Sequence, residues 1–108
     1  MIDIFSLVRN IGKIESLRDE LLTRLKEKRV NGQSGGGMVE VTCNGMKDVL
    51  DIKIEKGLEK DVAMLADLIV SAISQAQKKA EALFLEEIKD LILNFNALTK
   101  EGLSRERG

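Results

Sequence analysis

From Asp61 to about Leu98 a single apolar stripe runs along the chain. Val62, Leu65, Ile69, Ile73, Ala76, Ala80, Leu83 and Leu91 recur along one helical face, with Phe84, Ile88 and Phe95 beside them. Apolar residues at three- and four-residue steps mark one side of an α-helix. Asp61 is placed to cap its amino end, and the chain contains no proline to break it. A helix over residues 61–98 would be roughly 57 Å long at 1.5 Å per residue. A compact domain of this size has a radius of gyration of only about 13 Å. The helix must therefore project beyond any core that 108 residues can build. A stripe of that length needs something to bury it, and a second copy of the chain is the expected cover.

The amino-terminal segment is also helical. Ile4, Leu7, Ile11, Ile14, Leu21 and Leu25 share a face that Val8, Leu17 and Leu22 widen. Asp3 is a candidate N-cap, and the expected span is residues 3–28. Between the helices the period falls to two. Val39-Glu40-Val41-Thr42-Cys43 and Leu50-Asp51-Ile52-Lys53-Ile54 alternate as strands do. Asn44-Gly45 lies between them, a strong hairpin signal because both residues of a two-residue turn need positive φ. Residues 29–34 supply a first strand, which turns into the second through Gly35, Gly36 and Gly37. Strands are expected at about 29–34, 38–44 and 47–55. Gly32, Gly35, Gly37, Asn44 and Gly45 are the expected structural turn residues. Gly102 is expected to end the second helix, leaving 102–108 as a frayed tail. The fold class is α+β: an N-terminal helix, a three-stranded antiparallel meander and a long C-terminal helix, all in a single domain over 1–108.

Several function classes lose their chemistry here. The chain has no histidine, the commonest general base near neutral pH and the usual nitrogen ligand for zinc or iron. Cys43 is the only cysteine, and its place in the Val39-Val41-Cys43 alternation buries it as a structural thiol. Glu86 and Glu87 are expected to form a solvated helix edge rather than a catalytic pair. No enzyme, cofactor, metal or small-molecule substrate is expected. The N-terminus has no basic region followed by an apolar block, and no apolar run reaches the ~20 residues of a membrane span. The expected location is the cytoplasm. The glycine run is no phosphate loop, since no Gly-Lys-Ser/Thr follows it and a strand comes next rather than a helix.

The stretch Val30-Asn31-Gly32-Gln33-Ser34-Gly35-Gly36-Gly37-Met38-Val39-Glu40-Val41-Thr42-Cys43-Asn44-Gly45 resembles the signature of the YbaB/EbfC family of bacterial nucleoid-associated proteins. In that family a V-x-G-x-S/A-G-x-G-x-V-x-V-x-x-N-G run follows the first helix. The likeness continues through Val49-Leu50-Asp51-Ile52-Lys53-Ile54 and Asp61-Val62-Ala63-Met64-Leu65 to Ala72, Ala76 and Lys78-Lys79, covering about residues 28–82. It implies an intertwined homodimer with helices projecting like tweezers. It also implies duplex DNA as partner, a place in the nucleoid, and effects on DNA conformation and gene expression. The signature residues themselves are turn and core positions.

Net charge is −1, so cations must be clustered if phosphates are to be neutralised. Residues 1–30 carry a net +2 and residues 31–75 a net −3. Arg9, Lys13 and Arg24 fall opposite the apolar stripe of the first helix, with Glu20 and Glu27 among them. Lys78, Lys89 and Lys100 recur every eleven residues, which is three helical turns, and so line one edge of the second. Arg9, Lys13, Arg24, Lys78 and Lys89 are the expected DNA contacts, against the plainer reading of a solvated face. With three Phe and no Tyr or Trp, stacking on single strands is not expected. Contacts should go to backbone and shape, with limited sequence preference. The alternative is a prefoldin-like holding chaperone or helical scaffold, whose exposed apolar helix faces would grip non-native chains.

Overall fold

The computed structural model describes the backbone of residues 4–107 and the side chains of residues 12–94. Helix α1 spans Ile4–Glu27, strands β1, β2 and β3 span Val30–Ser34, Val39–Cys43 and Val49–Ile54, and helix α2 spans Val62–Arg107. The sheet is antiparallel, in the order β1-β2-β3. The molecule is a rod of 71 × 22 × 17 Å with a radius of gyration of 21.0 Å, far from compact, because α2 overshoots the sheet.

Asp61 caps α2 as expected: its Oδ1 accepts the Met64 N–H at 3.1 Å. The other end differs from expectation. Helix α2 passes Leu98 and Gly102 and continues to Arg107. One glycine costs a helix only about 1 kcal/mol, and no proline follows to enforce a stop. The Asp3 cap lies outside the described residues.

Helix α2 lies across β1 and β2. Val39, Val41 and Cys43 are fully buried against Ala72 and Ala76, with Leu58 closing the end of this core. The contact is close because both surfaces are small. A Cβ on Gly32 would stand 2.3 Å from the Ala72 carbonyl oxygen and 2.4 Å from the Ala76 nitrogen, so only glycine fits. This corrects the expectation for Gly32, which is an interior residue of β1 and not part of a turn. Two polar contacts hold the same approach: Ser34 Oγ donates to the Leu68 carbonyl at 2.6 Å, and Gln75 Oε1 accepts the Gln33 N–H at 2.5 Å.

Gly35, Gly36 and Gly37 have φ of 60°, 67° and 96°, three successive left-handed residues that reverse β1 into β2. The second reversal departs from the expected two-residue turn, since neither Asn44 nor Gly45 has positive φ. Asn44 is buried, and its side chain organises a longer loop. Its Oδ1 accepts the N–H groups of Met46 (2.9 Å) and Asp48 (3.0 Å), while its Nδ2 donates to Asp48 Oδ2 at 3.0 Å. An asparagine that bonds its own backbone this way sets a turn without left-handed geometry at its own position. Lys47 takes the left-handed position instead, with φ 68°.

Candidate nucleic-acid interface

Two regions follow from this arrangement: the helix pair that leaves the sheet, and the β3 end of the sheet face that α2 packs on, which α2 itself does not cover. In the helix pair, α1 turns Leu25 fully inward and Leu17, Leu21 and Leu22 partly so, as its stripe requires. Leu83, Phe84, Ile88 and Leu91 are half-buried on α2. Glu87, expected on a solvated edge, is instead the charged link between the helices, because α1 packs over it. Its side chain is only 12% exposed and lies 3.8 Å from both Arg24 Nη1 and Lys28 Nζ. Arg24 also meets Glu20 at 2.6 Å. Among the expected DNA contacts Arg24 is thus already held by two carboxylates. Lys13, Lys78 and Lys89 are exposed and make no ion pair among the described residues. The Arg9 side chain lies outside those residues.

That β3 surface is apolar. Ile54 and Ile52 pair with Val39 and Val41, so they share the face that packs on α2. The register shifts after Thr42, so that Val49 rather than Leu50 stands opposite Cys43 and Leu50 becomes the extra residue of a bulge. None of these β3 side chains is covered: Val49, Leu50, Ile52 and Ile54 are 37–48% exposed. Val70, on α2, is 67% exposed. An open hollow of about 410 Å³ is lined by Lys47, Val70, Ile73, Ser74, Gln77, Lys78 and Glu81.

Burial pushes the Cys43 thiol above its ordinary value, and the Asp48 carboxylate adds to the rise, so the sulfur stays protonated near neutral pH. The described residues contain no cluster of metal-ligating side chains and no helix long and apolar enough to cross a membrane.

A helix, a three-stranded meander on which a second helix is seated, and an overshooting helix pair with exposed lysines define an elongated α+β protein whose described surface carries an uncovered apolar strand face. Comparison with known proteins narrows the class. Residues 1–95 match the YbaB/EbfC DNA-binding family. A nucleoid-associated protein of Legionella pneumophila (strain Corby) is 36% identical over 95 residues, covering 87% of this chain and 85% of that protein. One from Acetivibrio thermocellus is 35% identical over 91 residues, covering 82% and 80%. Among solved structures, the uncharacterized protein HP0035 from Helicobacter pylori superposes with a TM-score of 0.72 at 26% identity, covering 88% of this chain and 98% of that one. The chain belongs to the YbaB/EbfC DNA-binding family.

Proposed function

We propose that this chain works as a homodimer that holds duplex DNA between its projecting helix pairs and serves in the cytoplasm as a nucleoid-associated protein. The observation that carries the reading is the division of the surface. The apolar face of β3, continued by Val70, suits a second copy, and a small sheet left open on one side gains most from it. The exposed Lys13, Lys78 and Lys89 lie on the helices that reach beyond that face. Contacts of this kind go to phosphates, fix position without reading bases, and bend DNA where bending is cheap. The names of the Legionella and Acetivibrio relatives support the nucleoid assignment. Family membership favours DNA over non-native chains as the partner, so the holding-chaperone alternative falls away. The family is a DNA-binding one, and we propose no reaction for this member.

The test joins two measurements on the purified protein. Sedimentation equilibrium at micromolar concentration should report about twice the 12.0 kDa chain mass. Duplex binding titrated with salt should weaken steeply, because counterions return to the phosphates. A monomer, or binding indifferent to salt, would count against the reading.

A further inference from the structure

Lys47 is the one described non-glycine residue with positive φ. A lysine there is unexpected, since the left-handed region favours Gly or Asn and penalises a side chain with a Cβ. Packing does not account for it: the side chain is 48% exposed, and its contact with Glu81 is a loose 3.9 Å ion pair between two exposed groups. Exposed pairs of this kind contribute little. The fold needs only the Lys47 backbone, whose carbonyl accepts Gln77 Nε2 at 3.3 Å and whose N–H donates to the Asn44 carbonyl at 3.2 Å. Glycine would supply both bonds without strain. A residue that breaks a local rule with no structural gain points to a role for its side chain.

Its position indicates the role. The Asn44–Asp48 loop lies at the end of the sheet from which the helix pair leaves, because the Gly45 N–H bonds the Leu25 carbonyl of α1. Lys47 and Lys78 line the same hollow, which has an apolar end at Val70 and Ile73 and a charged end at Lys47, Lys78 and Glu81. A partner seated on the apolar end leaves the charged end open at the base of the projecting helices.

We infer that Lys47 is a DNA-phosphate contact at the floor between the helix pairs, held toward the duplex by its left-handed backbone. This rests on the DNA-binding reading above. The test compares Lys47→Gly, Lys47→Gln and Lys47→Arg with the parent in salt-titrated duplex binding and thermal melts. Lys53→Gln, on the opposite face of the sheet, is the control. Lys47→Gly should melt no lower than the parent yet bind DNA several-fold more weakly. Its log-affinity against log-salt slope should be shallower by about one for each Lys removed, so about two per dimer. Lys47→Gln should lose the same affinity, and Lys47→Arg and Lys53→Gln should keep it. If both the Gly and Gln variants bind like the parent, the assignment is overturned. Weakening in Lys47→Gly alone would also overturn it, because the loop conformation and not the charge would then matter. A parent that binds no duplex defeats the broader reading instead, which separates the two failures.

Discussion

Gly45 donates its backbone N–H to the Leu25 carbonyl at 2.7 Å, and a Cβ on Gly45 would lie 2.8 Å from that same oxygen. The bond satisfies one of the four carbonyls that the end of a helix leaves without an internal partner. It also fixes where α1 departs from the sheet. Gly45→Ala should therefore push α1 away from the β2–β3 loop and lower stability by about 1–3 kcal/mol, the usual cost of forcing a group into a packed site. Chemical denaturation measures this directly. A variant as stable as the parent would show that the contact does not constrain the helix.

The glycine run yields a second expectation. Gly35 and Gly37 are left-handed, and a Cβ on Gly35 would also meet Leu68 Cδ2 at 3.1 Å. Replacing both with Val should cost about 1–3 kcal/mol each and reduce the yield of folded dimer. Gly36 has the same backbone hand but open space around it, so Gly36→Asn should be tolerated far better than Gly36→Val. Should the Gly35 and Gly37 variants melt normally and yet lose DNA binding, the run serves recognition and not folding.

These glycines also show how much of the fold the sequence displays. Both helices and strands β2 and β3 are legible because each carries its own period of apolar residues, whereas β1 has Val30 as its one apolar residue and is placed only by the glycine turn that follows it. The glycines are legible only as glycines. Nothing local distinguishes Gly32, whose missing side chain admits Ala72 and Ala76, from Gly35, whose backbone hand turns the chain. Asn44-Gly45 reads as a two-residue turn, because the same dipeptide also suits the longer loop that Asn44 closes through Met46 and Asp48, and the Gly45 contact with Leu25 that decides between them is tertiary. The candidate interface is legible to a similar depth. Helical periodicity places Lys78 and Lys89 on a polar edge, but it cannot show that Glu87 reaches Arg24 and Lys28 from the other helix. Lys47 carries no periodic signal at all, and only its φ marks it.

Cys43 should behave as a core atom. A thiol-specific reagent should label it slowly in the native protein and at once after denaturation. The raised pKa has a further consequence whose sign is fixed. The unfolded thiol ionises near the ordinary value of 9.0, while the folded one holds its proton to higher pH. Its contribution to stability is thus complete below that pH and declines as pH rises through it. Between about pH 8.5 and 10 the parent should lose stability faster than Cys43→Ala. Equal slopes would mean that the thiol is less secluded than its burial implies.

The uncovered face of β3 gives a fourth test. Ile52 is already 37% exposed in the single chain, so Ile52→Glu should leave the protomer folded. Were a second copy to close over that face, the new carboxylate would be buried without a partner, at a cost of roughly 3–5 kcal/mol. Sedimentation should then shift from about twice the chain mass toward 12.0 kDa, with the circular dichroism of a folded helical protein retained. An Ile52→Glu protein that stays dimeric places the interface on another surface.

The last expectation concerns the helix cations. Lys13, Lys78 and Lys89 are exposed and free of ion pairs among the described residues, whereas Arg24 is engaged by Glu20 and Glu87. Phosphates must compete with those two carboxylates for Arg24, so it should contribute less than the lysines. The decisive protein carries Arg9→Gln, Lys13→Gln, Lys78→Gln and Lys89→Gln together and leaves Arg24 in place. Each dimer then loses eight positive charges, two for each substitution. The nearby Glu20, Glu27 and Glu81 should keep the parent's affinity modest at physiological salt, so the comparison belongs at low salt, where phosphate contacts weigh most. Once intact dimerisation is established, the variant should bind duplex DNA at least tenfold more weakly, and about equally so across unrelated sequences, because phosphate contacts carry no base information. Parental affinity at low salt would make these four residues a solvated face and move the contact surface elsewhere on the dimer. A loss confined to one sequence would instead require direct readout of base edges, which neither the helix packing nor the aromatic-poor composition supports.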